Sequence, residues 1–278
     1  MDIDLDKGKL LIFLGGLLFF TILEAIFPKR TRSMSWASRI YFHFSVAFLN
    51  TIIVRILVYV PFLYWIVYVE SQGWGISRLL GLTGWVEILC SFVVLDFFDY
   101  FWHRFNHRVE FLWRFHKAHH ADPEMDTSTS LRFHPGELFI SSLTKAAWLF
   151  IWGPTAISWF IFEVVVSLCA QFHHSNIDFS DKIEDGFLWV LVTPRFHASH
   201  HAVDRKYGDA NFSTIFSIWD RIFGSFQKPL DGGLATIEED DIGLPQDRNL
   251  SFNLLEWILE PGMNRNLYLA NLDRNADV

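Results

Sequence analysis

Long apolar runs alternate with short polar or basic breaks along the first two thirds of the chain. The first run extends from Leu10 to Phe27, interrupted only by Glu24, and is long enough to cross a bilayer as a helix. Lys29, Arg30 and Arg32 follow it at once. A cleaved signal carries its charge ahead of the run and small residues behind it. The order seen here predicts a retained transmembrane helix whose C-terminal end faces the cytoplasm. The second run, Ile40 to Val69, contains Arg55 and Pro61 and predicts a tilted or kinked crossing. The third, Leu79 to Trp102, leads back to Arg104, Arg108, Arg114 and Lys117. The fourth, Leu138 to Phe172, is broken by Gly153-Pro154 and predicts a helical hairpin with both ends on the cytoplasmic face. Leu250 to Glu260 is a short amphipathic pattern stopped by Pro261. It suits either the bilayer surface or packing on a cytosolic domain.

This pattern predicts an all-α integral membrane bundle with about four membrane elements, including the hairpin, and a cytosolic cap. It divides the chain into N-terminal transmembrane helices (1–84), a histidine-rich region (85–227) and an acidic cytosolic tail (228–278). Composition agrees. Apolar residues make up 51% of the chain and aromatics 17%, which suits lipid-facing helices with aromatic belts. The net charge of −8 excludes nucleic acid as a partner, and most of it sits in the tail. The two cysteines, Cys90 and Cys169, lie in apolar runs and form no Cys-x-x-Cys pair, so a thiolate zinc site is excluded.

Twelve histidines in so apolar a chain is the unusual feature. Eight fall into three compact motifs: His103-Arg-Phe-Asn-His107, His116-Lys-Ala-His119-His120 and His197-Ala-Ser-His200-His201. Residues three and four apart share a helix face, so each motif gathers its imidazoles into one patch. Neutral imidazole ligates iron, zinc and copper. Burying so many titratable rings near a membrane without a metal is costly. Eight ligands exceed the needs of one ion, which argues for two. No Glu-x-x-His pair and no His-Glu-x-x-His motif occurs, so neither a soluble di-iron bundle nor a zinc protease is indicated.

These motifs, in this order around a long hydrophobic hairpin, resemble the fatty acid hydroxylase/sterol desaturase superfamily. Leu131-Arg-Phe-His134-Pro135, the His174-Ser-Asn-Ile run and Ile218-Trp-Asp-Arg-Ile-Phe-Gly224 add to the resemblance, which covers roughly residues 85–225. It implies metal ligation by His103, His107, His116, His119, His120, His197, His200 and His201, with His174 or its neighbour His173 joining them. His134 is a further candidate, as a ligand or as a catalytic group beside the metals. Asp99, one turn before His103 on a stripe with Asp96 and His107, is the candidate for orienting a ligating imidazole. Thr193-Pro194 predicts the start of the third motif's helix, and Trp219-Asp220-Arg221 a lock within the cap. His43 reads as structural.

The resemblance further implies two iron ions (zinc being the alternative occupant), O2 as cosubstrate, and oxidation of a C–H bond in a sterol, fatty acyl or alkyl chain to an alcohol or an alkene. No Gly-x-Gly-x-x-Gly fingerprint is present. Electrons are therefore expected from a separate ferredoxin- or haem-carrier-type donor protein. The bilayer and a lipid substrate complete the expected partners. The expected location is a multi-pass position in a bacterial inner membrane, ahead of the endoplasmic reticulum, with the active site on the cytoplasmic face. The competing readings are a membrane zinc metallohydrolase and a non-catalytic metal-binding membrane protein.

Overall fold

Apolar runs of this length satisfy their backbone groups within helices, and the computed structural model shows that outcome. It describes residues 3–32, 34–228, 242–244 and 252–262. The tail expected over 228–278 therefore lies largely outside the described residues. Among them the fold is all-α, with only isolated β-bridges such as Pro28 to Ile177 and Leu191 to Phe216.

Helix α1 (Ile3–Ile26) is followed by α2 (Trp36–Val54), a π-helical turn (Arg55–Tyr59) and α3 (Val60–Ser71). Pro61 sits in the first turn of α3, where its missing N–H leaves the preceding ladder short of a donor. The two halves are bent by 46° at this point. A short α4 (Ile76–Leu79) leads into α5 (Gly84–Arg108), α6 (Glu110–His120) and a 3-10 turn (Thr127–Leu131). The hairpin is α7 (Pro135–Trp152) and α8 (Ala156–His174). The cap continues with α9 (Asp181–Leu188), α10 (Pro194–His200), α11 (Arg205–Gly208) and α12 (Ile218–Ile222), and α13 (Leu254–Leu259) packs back onto it.

By length and apolarity two described helices can cross a membrane, Lys7–Ile26 and Ala156–His174, or three spans if the bent pair α2–α3 is one, against the four elements expected. Charges account for the difference: α5 carries Glu87, Asp96 and Asp99, and α7 carries Glu137 and Lys145. Helix α5 continues through both histidines of the first motif, because no breaker intervenes before Val109 turns extended.

The hairpin turn is built from glycine and a buried carboxylate. Gly153 ends α7 at φ +72°, and Thr155 caps α8 through Ser158. Glu87 of α5 accepts from the Thr155 amide (3.0 Å), the Thr155 hydroxyl (2.9 Å) and the Ser158 hydroxyl (2.5 Å). A Cβ at Gly153 would lie 1.9 Å from the Trp74 carbonyl oxygen. Gly153→Ala is thus expected to lower the unfolding midpoint by several degrees, through backbone strain and this clash together. Gly186→Ala meets no atom within 4 Å and serves as the neutral control in the same thermal scan.

Below the apolar bundle, polar side chains tie the segment after α6 to α1 and α2. Arg39 donates to both oxygens of Asp122 (2.6 and 3.0 Å) and to Asp126 (3.1 Å), with Arg39 and Asp122 fully buried. Glu24 accepts from the Thr127 amide and the Asn176 amide, each at 3.0 Å, and pairs with Arg32 at 2.7 Å. The amphipathic C-terminal stretch resolves to cap packing: Trp257 of α13 is buried and donates to the Ala118 carbonyl (3.3 Å).

Candidate metal centre

Four helix ends converge beneath the bundle and bring nine histidines together. His103 and His107 occupy the last turns of α5, and His116, His119 and His120 the end of α6. His174 ends α8, while His197 and His200 lie on α10 with His201 just after it. One extended residue, Val109, separates α5 from α6 and folds their histidines toward each other. The Thr193 hydroxyl accepts from the Phe196 amide and Pro194 opens α10, which places the third motif.

The nine divide into two groups. His103, His107, His116, His120 and His200 form one; His119, His174, His197 and His201 form the other. Within each group the ligand nitrogens lie within 4.8 Å of one another. The paired histidines are divided between the groups for a simple reason. Adjacent residues on a helix diverge by about 100°, whereas residues four apart share a face. His116 and His120 therefore serve the first group and His119 the second. His197 and His201 serve the second group and His200 the first. The groups meet where His120 and His201 stack, with ring centroids 4.2 Å apart.

The nitrogen spacing fits metal ligation. Nε2 atoms approach at 3.0 Å (His103 and His200), 3.2 Å (His116 and His120), 2.9 Å (His119 and His174) and 3.1 Å (His174 and His197). Two imidazoles bonded to one cation at about 2.0–2.1 Å, at a right angle, bring their nitrogens to about 3 Å. His197 Nδ1 and both nitrogens of His107 and His201 are buried without a hydrogen-bond partner. Burial, followed by neighbouring imidazoles, holds His119, His120, His197 and His201 well below the ordinary histidine range. Burial likewise lowers His200 to about 3. The rings are neutral and their lone pairs are free to bind a cation.

Outer partners fix the ring orientations. His103 Nδ1 meets the Phe212 carbonyl (2.8 Å), His200 Nδ1 the Ala210 carbonyl (2.7 Å), His174 Nδ1 the Ala170 carbonyl (2.7 Å) and His116 Nδ1 a Glu137 oxygen (2.8 Å). Each bond places the ring's N–H on Nδ1 and leaves Nε2 for the metal. Asn211, at φ +59°, turns the chain so that the carbonyls on both sides of it point at the cage. Asp220 accepts from the Phe212 and Ser213 amides (2.8 and 2.9 Å) and holds that turn. Glu137→Gln keeps the side chain's size but removes its charge. It is expected to weaken metal retention by about 10–100-fold, read by competition with a chelator.

Three candidates take other places. Asp99 does not orient His103, because the Phe212 carbonyl fills that role; the charges around Asp99 are Lys145 and Glu163. His134 stands outside both groups. Its Nδ1 accepts from the Gly136 amide as the cap of α7, and its Nε2 meets the Ile258 carbonyl, each at 3.0 Å. Both nitrogens are thus engaged away from the two histidine groups. His173 packs against His197, with centroids 4.0 Å apart, but belongs to neither group. Conversely, Glu137 and the carbonyls of Ala170, Ala210 and Phe212 escaped the sequence reading. A lone Glu at the foot of an apolar run looks like ordinary interfacial charge, and backbone carbonyls leave no trace in a sequence.

A cavity of about 220 Å³ between α3, α7 and α8 is lined by Phe62, Ile66, Leu138 and Trp159, together with Lys145 and Glu163. None of the nine histidines lines it.

Residues 88–225 match the family model described as fatty acid hydroxylase. The chain is 32% identical over 162 residues to alkylglycerol monooxygenase of Xenopus tropicalis, covering 55% of this chain and 34% of that protein. It is 29% identical over 147 residues to ornithine lipid hydroxylase OlsE of Rhizobium tropici, covering 51% and 42%. It is 29% identical over 155 residues to lathosterol oxidase of Mus musculus, covering 53% and 48%. The matched stretch thus spans about a third to a half of the length of these relatives. No solved structure matches.

Proposed function

Over residues 88–225 the chain belongs to the fatty acid hydroxylase family, and from that premise we propose that it is a membrane-bound, non-haem di-iron oxygenase that hydroxylates or desaturates a lipid with O2. The observation that carries this reading is the division of nine clustered imidazoles, eight of them buried, into adjacent groups of five and four. Two iron ions held there would supply the activation of O2 needed to attack an unactivated C–H bond. The protein's own groups bind and orient. Glu137 and the carbonyls of Ala170, Ala210 and Phe212 fix four rings with Nε2 inward. Burial disfavours the charged form of His119, His120, His197, His200 and His201, and an enclosed site excludes water.

The relatives' names denote lipids with one polar end and a long apolar body, and a substrate of that class suits a cage at the foot of a membrane bundle. We place four membrane elements in the bilayer: α1, α2–α3, α5 and the α7–α8 hairpin. The outward residues Trp85, Val86, Leu89 and Val93 support α5 as a lipid-facing helix despite its carboxylates. Lys29, Arg30, Arg32, Arg104, Arg108 and Arg114 support a cytoplasmic cap, which in a bacterial cell means the inner membrane. A separate ferredoxin- or haem-carrier-type protein delivers the electrons.

The test is lipid profiling by mass spectrometry of cells expressing the protein or its His119→Ala variant. The wild type is expected to yield a lipid heavier by one oxygen, or lighter by two hydrogens, that is absent with the variant. Identical profiles, or purified protein holding zinc and consuming no O2, would overturn the reading.

A further inference from the structure

The cap does not stay below the helices. On both sides of the Leu191–Phe216 bridge its chain climbs along α5. The Phe216 ring packs on Phe92 at 5.8 Å, and Ile215 joins Leu95, Ile66 and Phe162 in one apolar core. Phe92 precedes His103 by 11 residues on one helix. At 1.5 Å per residue the bridge therefore lies about 16 Å up α5 from the cage.

The outer side of this segment is apolar and uncovered. Trp189 is 73% exposed and Ile222 59%, and Phe187, Val190 and Ile218 are also exposed. Hydrogen bonds make them one surface: the Ser217 amide donates to the Val190 carbonyl (3.2 Å), and the Ser217 hydroxyl to the Leu188 carbonyl (2.6 Å). The surface continues onto α5. The stripe Trp85, Leu89, Val93 leads to Phe97 and Phe101, which pack on Trp219 (5.3 Å) and Phe223 (4.9 Å).

Its backbone is closed as a lipid environment demands, since hydrocarbon offers no partner for a stray N–H or C=O. Asp96 of α5 accepts from the Ile215 amide (3.1 Å), the Phe216 amide (3.1 Å) and the Trp219 indole (2.7 Å). The Val192 amide donates to the Ile215 carbonyl, the Val190 and Leu191 amides donate to the Phe187 carbonyl, and Arg221 donates to the Leu188 carbonyl.

We propose that residues 187–191 and 215–222 form a prong of the cap inserted into the cytoplasmic leaflet of the bilayer, with Asp96 closing its backbone donors. The proposal rests on the four-element topology above. The bilayer is the occupant because the exposed surface is continuous with the outward stripe of α5, and because the Ile215 and Phe216 amides, the Trp219 indole and the Leu188 and Val190 carbonyls are bonded within the protein. The prong also connects to the cage: Asp220 on α12 holds the Phe212 amide, and the Phe212 carbonyl holds His103. The depth of the prong therefore sets the depth of the metal site relative to the lipid chains.

Spin labels test this with the full chain in nanodiscs, in a background with Cys90 and Cys169 replaced by Ser. Labels go on Val190→Cys and Ile222→Cys, with Leu89→Cys as the lipid-facing reference and Lys206→Cys as the exposed cap reference. Accessibility to O2 relative to a water-soluble nickel chelate is expected to be severalfold higher at 190, 222 and 89 than at 206. Chelate access at 190 and 222 with lipid access at 89 would overturn the prong alone. Shielding of 190 and 222 from both reagents would mean a protein covers them and would overturn it too. Chelate access at 89 as well would sink the topology and the prong together.

Discussion

Taking the metal-free protein from pH 7 to pH 5 is expected to unfold the histidine cap. Burial, reinforced by the neighbouring rings, lowers the pKa of His119, His120, His197, His200 and His201 in the folded state, to about 3 for His200. In the unfolded chain each titrates near the ordinary histidine value of about 6.5. Below that value the unfolded state binds protons that the folded state refuses. The stability these rings confer is present above pH 6.5 and is lost as pH falls toward their folded values. Each ring fully in that window removes about 1.4 kcal/mol per pH unit. Several such rings acting together oppose a typical domain stability of about 5–15 kcal/mol. Bound metal opposes protonation, so the loaded protein should persist to lower pH and release its ions as it unfolds. Limited proteolysis of the cap and tryptophan fluorescence across pH, with and without metal, provide the measurement. A metal-free cap intact at pH 5 would show that the rings are solvated.

Arg39→Met is expected to destabilise the protein by about 3–5 kcal/mol, the usual result of stranding a buried charge. Burial opposes ionisation of Asp122, yet the Arg39 guanidinium beside it holds its carboxyl well below the usual carboxylate range. Without Arg39, Asp122 loses its guanidinium partner in a fully enclosed site, and Asp126 is left with Arg32 at 3.8 Å. Asp122 lies two residues beyond His120, and its second oxygen also anchors the Thr129 hydroxyl (2.6 Å). Loss of the pair should therefore loosen both the 3-10 turn and the end of α6, and metal content should fall with stability. Asp122→Asn placed on Arg39→Met removes the stranded charge and should recover part of the loss. Equilibrium unfolding of the wild type, Arg39→Met, Asp122→Asn and the double variant measures that coupling. Equal stability of Arg39→Met and wild type would mean that the pair is hydrated.

Spacing alone identified eight of the nine clustered histidines, because ligand positions three and four apart on a helix are a local property. His174 was legible only with its neighbour His173 as a rival. Both end the same helix, and the choice between them depends on which ring α10 meets across space. The hairpin turn at Gly153 and the cap at Thr193 were likewise local, and the structure shows both. Asp99 and His134 lie outside the two histidine groups for a common reason: each sits at a suggestive distance along the chain from the clustered histidines, but its environment is set by elements far away in sequence. Phe212 reaches His103 from 109 residues downstream. Ile258 reaches His134 from 124 residues downstream.

The sequence by itself determined the helical class, the apolar segments and the residue types able to hold two metal ions, since periodicity and ligand chemistry are written residue by residue. Only the tertiary structure decided which imidazole joins which group, which carbonyl or carboxylate aims each ring, and how the cap lies against α5. Those outcomes depend on long-range packing, in which one backbone carbonyl prevails over another by position and not by identity.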